Sequence, residues 1–221
     1  MTSVALALTL IGGISTLNAV GNDSNRSGVL LGLELGTSAT FKKETTNTNG
    51  TTTKTDNFPN GNVGLKIGYE HFFNDWAGLR GYASYHYGFS SENTDESTTQ
   101  TATLNSYHQV AANVEATFKF FDFNNAGLGA YAGIGLGYGA ANTSSKETAS
   151  NTTTTTDTKV ANGFILPVNI GLEVYIGDNH NTSLNFRIPT IATKLTTTAG
   201  TTTTKNELRN FIISLGYTYT F

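Results

Sequence analysis

Cysteine is absent from the 221 residues, which excludes disulfide staples and cysteine-ligated metal centres. Proline is scarce, with 3 residues, and the 24 glycines follow no collagen period. Charge is sparse too. Only 13% of residues are charged, against roughly a quarter in an average soluble domain. Net charge is −3 and the isoelectric point about 5.8, so there is no basic field to attract nucleic acid. No apolar run reaches the ~20 residues a transmembrane helix needs. A mean hydropathy of −0.20 alone would describe a water-soluble chain, but it averages two populations. Tracts of threonine and asparagine alternate with strongly patterned apolar segments. The length suits one domain of ordinary size or two small ones.

The first segment reads as an export signal. Val4 to Ile14 is apolar, and the small residue Ala19 in Leu17-Asn18-Ala19 suits a signal peptidase. The stretch is too short to cross a bilayer as a helix. Met1-Thr2-Ser3 carries no Lys or Arg, so the usual positive leader is missing, and a buried N-terminal helix is the plainer alternative. The expected organisation is a signal peptide over residues 1–19 and one folded unit over residues 20–221.

Beyond it the chain alternates with period two, the signature of strands. Val29, Leu31, Leu33 and Leu35 alternate with Leu30, Gly32, Glu34 and Gly36. Val63, Leu65, Ile67 and Tyr69 alternate with Gly64, Lys66, Gly68 and Glu70. The same pattern returns around Tyr82, Asn113, Gly133, Asn169, Asn185 and Ser214. This gives eight segments of about 10 to 14 residues, enough to cross a bilayer at the usual tilt. Short connections fall near Asn74-Asp75-Trp76, Phe121 to Ala126 and Gly177 to Thr182. Long ones fall at Lys42 to Gly61, Ser90 to Ser106, Ala141 to Asn162 and Thr196 to Glu207. Short turns on one side and long loops on the other describe an all-β, antiparallel, up-and-down outer-membrane barrel, with periplasmic turns and four extracellular loops.

Period two does not say which face is wet; a soluble lipocalin-type barrel would turn the apolar row inward. Three features favour the membrane. Aromatic residues gather at the ends of the apolar rows (Phe41, Phe73, Phe89, Phe118, Tyr138, Phe221), as in interfacial girdles. The polar rows are rich in glycine, which suits a narrow eight-stranded interior. The last strand ends on an aromatic residue.

The run Ser214-Leu-Gly-Tyr-Thr-Tyr-Thr-Phe221 resembles the C-terminal signal read by the barrel assembly machinery, with Gly216, Tyr217, Tyr219 and Phe221 as its pattern. Phe164-Ile-Leu-Pro-Val-Asn-Ile-Gly-Leu-Glu173, Phe186-Arg-Ile-Pro-Thr-Ile191 and Arg209-Asn-Phe-Ile-Ile-Ser-Leu-Gly-Tyr resemble segments of the Helicobacter outer membrane protein family. The specific resemblance spans about Phe164 to Phe221. It implies an integral protein of the cell outer membrane in a family that includes adhesins and porins. The long N-terminal insertion of the adhesins is not seen here.

The polar rows place Glu34, Glu70, Glu115 and Glu173 on the same parity as Lys66, Arg80, Lys119 and Arg187. Buried charges must be paired or hydrogen-bonded. Equal numbers therefore predict a neutralised lumen network, either a structural plug or the lining of an ion path. The histidines, His71, His86, His108 and His180, have no metal-ligand spacing. His86 and His108 flank one long loop and could meet near Ser84 or Ser90 as a hydrolase site, although surface histidines explain the positions equally well. Gly133-Ile-Gly-Leu-Gly-Tyr-Gly139 has a strand period and no nucleotide-loop spacing. Thr51–Thr53, Thr152–Thr156 and Thr201–Thr204 read as mobile, hydrated loop, with contact to host molecules as the functional alternative.

No catalytic, metal or cofactor residue is assigned. The expected role is structural or in surface interaction, with a closed lumen; a small-solute channel and a lipid-modifying enzyme are the alternatives. The expected partners are outer-membrane lipid and lipopolysaccharide, the barrel assembly machinery and periplasmic chaperones during biogenesis, and host surface ligands at the loops. N-terminal sequencing of protein from the outer-membrane fraction should give a mature chain beginning near Val20; a retained Met1 would remove the signal-peptide assignment.

Overall fold

The computed structural model describes residues 27–48, 51–96, 99–123, 126–149 and 152–221. The proposed export signal lies outside them. Ten strands are present among these residues: β1 (Gly28–Asn47), β2 (Thr51–Phe72), β3 (Ala77–Glu96), β4 (Thr99–Phe123), β5 (Ala126–Ala149), β6 (Thr152–Ile165), β7 (Pro167–Ile176), β8 (His180–Pro189), β9 (Thr193–Ala199) and β10 (Thr202–Thr220). Neighbours pair antiparallel, and β1 pairs with β10 from Leu30↔Thr220 to Asn47↔Thr203. That last ladder closes a ring of eight staves in the order β1-β2-β3-β4-β5-β7-β8-β10.

The two extra strands arise where two staves break. Pro167 stands opposite Pro189 in the β7–β8 ladder. Neither can donate a backbone hydrogen bond, so the ladder stops there. Beyond that point the chains part. β6 follows β5, β9 follows β10, and β6 and β9 meet in register only at Asn162↔Lys194. The Thr190 backbone N–H, donating to the Leu166 carbonyl at 3.2 Å, ties the two breaks together.

Burial is inverted relative to a water-soluble barrel. The apolar row faces out: Leu215 is 69% exposed, and Leu35, Leu65, Val110, Ile134 and Leu136 are likewise exposed. The polar row is buried: Arg80 is 1% exposed, and Glu34, Lys66, Glu115 and Asn169 are enclosed with it. Hydrocarbon is the solvent that suits this arrangement, because it accepts the outer side chains while the closed ladder satisfies the backbone. The lipocalin-type alternative requires the opposite burial. Aromatic residues mark both rims. Phe73, Trp76, Phe120 and Phe121 are exposed on the short-turn side, and Phe41, Phe89, Tyr138 and Phe164 on the other. Trp76 stacks on Phe118 with ring centroids 6.3 Å apart.

The strands run well past the expected 10–14 residues. β4 has 25 residues and β5 has 24. The threonine tracts, read from sequence as loop, are hairpin strands: Thr46 pairs with Thr52 and Thr198 with Thr203. Threonine is a strong strand former, and facing hydroxyls bond across the ladder, as for Thr148 and Thr153 at 3.2 Å. The four long connections are therefore mostly paired ribbon that continues the barrel wall outward.

Candidate functional site

The chemistry of the molecule lies inside the ring. The pleat sends every second residue of each stave into the lumen, and register decides which of them share a level. Arg80 stands opposite Glu70 on β2 and opposite Glu115 on β4. Its guanidinium donates from Nε to Glu115 Oε2 at 2.7 Å. Nη1 lies 2.5 Å from Glu173 Oε1 across the lumen and 3.7 Å from Glu70 Oε1. One cation thus engages three carboxylates from β2, β4 and β7. The Tyr131 ring lies under it, 4.5 Å from the guanidinium carbon, in cation–π range.

Three tyrosines complete this level. The Tyr82 hydroxyl donates to Glu115 at 2.5 Å and the Tyr175 hydroxyl to Glu173 at 2.6 Å. The Tyr131 hydroxyl donates to Asn185 at 2.6 Å. A second ion pair sits beside them. Lys66 Nζ is 3.6 Å from Glu34, whose other oxygen accepts from the Ser214 hydroxyl at 2.8 Å. Asn169 donates to Asn113 at 3.0 Å, and Asn113 in turn to Ser84 at 3.0 Å. Glycines make the room. A Cβ on Gly129 would come 2.8 Å from the Tyr175 ring, and one on Gly32 would come 2.6 Å from the Lys66 side chain.

The structure brings together six of the eight expected charges: Arg80 with Glu70, Glu115 and Glu173, and Lys66 with Glu34. The other two stand elsewhere. Lys119 is half-buried toward the short-turn end of β4. Arg187 is buried, but its Nε and Nη2 meet no hydrogen-bond partner among the described residues. The fully buried set is therefore four acids against three bases, not the equal numbers that row parity suggested. Parity reports which face a residue takes and nothing of its depth. The tyrosines were not singled out from sequence, although Tyr82, Tyr131 and Tyr175 lie on the charged rows, and an aromatic hydroxyl on a polar row is the signal that could have marked them.

His86 and His108 do not meet. His86 is buried in the lumen, with Nδ1 3.3 Å from the Asn62 side-chain oxygen. His108 has the opposite parity and takes a 2.8 Å bond with the Tyr85 hydroxyl, both on the outer face. The barrel wall separates them, which dismantles the proposed hydrolase pair. His180 bonds the Tyr217 hydroxyl at 2.6 Å, and His71 stands edge-on to Phe73; both are exposed rim residues. The four residues of the C-terminal pattern divide by parity. Gly216 faces inward against Ser183, whereas Tyr217 and Phe221 are exposed to the outside. Tyr219 packs edge-on to Phe221 with centroids 4.8 Å apart. Outside the membrane-crossing part, Lys205 bonds Glu207 at 3.0 Å and, with Lys194 at 3.6 Å, holds its carboxyl below the usual range.

A family model described as Helicobacter outer membrane protein matches residues 64–221, beginning about a hundred residues before the segments whose resemblance was legible. No curated protein is similar to the chain in sequence. Among solved structures, the outer membrane protein OprG from Pseudomonas aeruginosa is similar at 15% identity, covering 89% of this chain and 97% of that one, with a TM-score of 0.46. Neisserial surface protein A is similar at 14% identity, covering 86% and 97%, with a TM-score of 0.43. The attachment invasion locus protein Ail of Yersinia pestis is similar at 14%, covering 84% and 97%, with a TM-score of 0.35.

The Arg80 cluster should dominate stability. Truncating one partner of a buried ion pair typically costs about 3–5 kcal/mol, because the other charge is left unsatisfied. Arg80→Ala, which strands three carboxylates, should lower the unfolding temperature of the refolded barrel on heat-modifiability gels more than Glu70→Ala does. Lys54→Ala and Lys146→Ala, on the outer hairpins, should leave it unchanged.

Proposed function

The chain belongs to the Helicobacter outer membrane protein family, and from that premise we propose that it is a closed, non-enzymatic barrel whose outer hairpins form an interaction surface. Its location is the cell outer membrane. The observation that carries the closed reading is Arg80, which reaches from β3 to Glu173 on β7, three staves away round the ring, and so bridges the lumen at one level. An eight-stranded interior is just wide enough for side chains to fill. Here that space holds Arg80, three glutamates and three tyrosines, joined by ion pairs and hydrogen bonds. Surface interaction is supported by the hairpins, which extend the wall beyond the outer aromatic rim as paired ribbons of polar residues. The lipid-modifying reading loses its support with the separation of His86 from His108.

A small-solute channel is the second reading, and one observation favours it: toward the outer end of the lumen the inward side chains are uncharged and polar, Asn62 and Gln109 among them, without the ion pairs found around Arg80. Planar-bilayer recording of the refolded protein separates the two readings. A closed barrel gives no steady conductance in the wild type, and Arg80→Ala opens one; a stable ohmic channel in the wild type overturns the closed reading.

Biogenesis adds a second test. We assign Gly216, Tyr217, Tyr219 and Phe221 to recognition by the assembly machinery, with periplasmic chaperones as earlier partners. Deleting Phe221 should reduce the folded, heat-modifiable form in the outer membrane far more than the roughly 0.5–1.5 kcal/mol of one aromatic contact accounts for. Wild-type amounts after the deletion would remove the assignment.

A further inference from the structure

At the outer aromatic rim, the outward face of β9, β10 and β1 gathers positive charge. Strand parity sends Lys43, Lys194, Lys205 and Arg209 to the same face as the lipid-facing row, and all four are exposed. The ladders bring them together. Glu207 on β10 stands opposite Lys43 on β1 and opposite Lys194 on β9. Lys205 and Arg209 lie two residues to either side of Glu207 on its own strand, about 7 Å away along it. Four cations thus surround one carboxylate.

That carboxylate does not balance them. Glu207 Oε1 takes Lys205 at 3.0 Å and Lys194 at 3.6 Å. The other acid on the outer parts of these three strands, Glu44, has the opposite parity and pairs with Lys42 at 3.0 Å. Three positive charges are left in excess on a face that looks sideways along the membrane. Height matters as much as charge. Arg209 stands opposite Phe41, an exposed aromatic of the outer rim. Below that pair the same face continues inward to Ile213, Leu215 and Leu35, all exposed. Cations at head-group height above apolar side chains match an amphiphile with an anionic head and acyl tails.

We propose that the outward face of β9, β10 and β1 is a binding site for a phosphorylated glycolipid of the outer leaflet. Its phosphates lie among Lys43, Lys194, Lys205 and Arg209, and its acyl chains run down over Phe41, Ile213 and Leu215. Phosphate is the head-group chemistry that fits. One monoester carries about 1.5 to 2 negative charges, so two offset the excess, and Arg209 supplies a forked donor for one of them. A zwitterionic head group brings as much positive charge as negative and leaves the excess in place. A soluble polyanion meets the same charges but makes no use of the apolar side chains beneath them. The site rests on the location in the outer membrane and not on the state of the lumen.

The test uses the whole refolded barrel in detergent, with bound lipid counted by native mass spectrometry. The probes are lipid A bearing two phosphates, the same lipid after phosphatase treatment, and soluble polyphosphate as a competitor. The wild type should retain the diphosphorylated lipid and release it once the phosphates are removed. Lys43→Gln combined with Lys194→Gln should weaken retention by about thirtyfold, roughly a factor of five for each cation. Lys146→Gln, on β5 opposite Ala102 and Thr155, should leave it unchanged. Glu207→Gln should tighten it severalfold, a gain that misfolding does not imitate. Equal retention of the dephosphorylated lipid would overturn the proposal, as would undiminished binding in the folded double-lysine variant or weaker binding in Glu207→Gln. Displacement of the lipid by polyphosphate at the same phosphate concentration would mark a general polyanion surface and overturn it too. Conductance is not a readout here, so failure of this site and failure of the closed-barrel reading are distinguishable.

Discussion

Hydrocarbon offers no hydrogen bonds, and every stave of this protein answers to that fact. A strand can cross the membrane only if both of its edges are paired, which makes the β1–β10 ladder the condition for the rest. Once the ring is closed, period two has one stable orientation, with leucine, isoleucine and valine outside and glutamate, arginine and asparagine inside. The place where two staves split follows the same rule. Pro167 and Pro189 face each other without a donor between them, and beyond them the staves divide, at the outer rim and away from the middle of the wall.

Enclosing charge in a ring this narrow creates a second constraint. Desolvating a carboxylate costs several kcal/mol unless a partner offsets it. Glu115 and Glu173 each have two partners, Arg80 and a tyrosine hydroxyl, whereas Glu70 meets the same guanidinium at a longer 3.7 Å. The stacking of Arg80 on Tyr131 shields the cation from below. Glycines at the facing positions are the steric counterpart, because long side chains can cross the lumen only where the opposite wall has none.

The hairpins show how the same backbone pattern serves two solvents. Within the membrane, alternation separates lipid from lumen. Beyond the outer aromatic rim the alternation fades into threonine and asparagine, yet the ladders continue, since threonine favours strands and pairs with itself across them. The ribbons are held together by their ladders more than by burial. The apolar cluster around Tyr107 lies where these ribbons leave the barrel.

The sequence by itself determined the class of fold, the eight staves, the side of the short turns and the outward face, because a two-residue period and aromatic row ends are local properties that survive any register. It also named the charges that face inward. It did not determine which of them meet. That Arg80 gathers Glu70, Glu115 and Glu173 depends on how eight strands are staggered around a ring, whereas the opposite faces of His86 and His108 follow from row parity alone. Stagger is set by ladders between residues far apart in the chain. The threonine tracts were misjudged as loop for the same reason: low complexity hides a strand whose partner lies across a turn. The split at Pro167 and Pro189 came only with the tertiary structure, since each proline alone is an ordinary strand end and only their facing one another opens the wall.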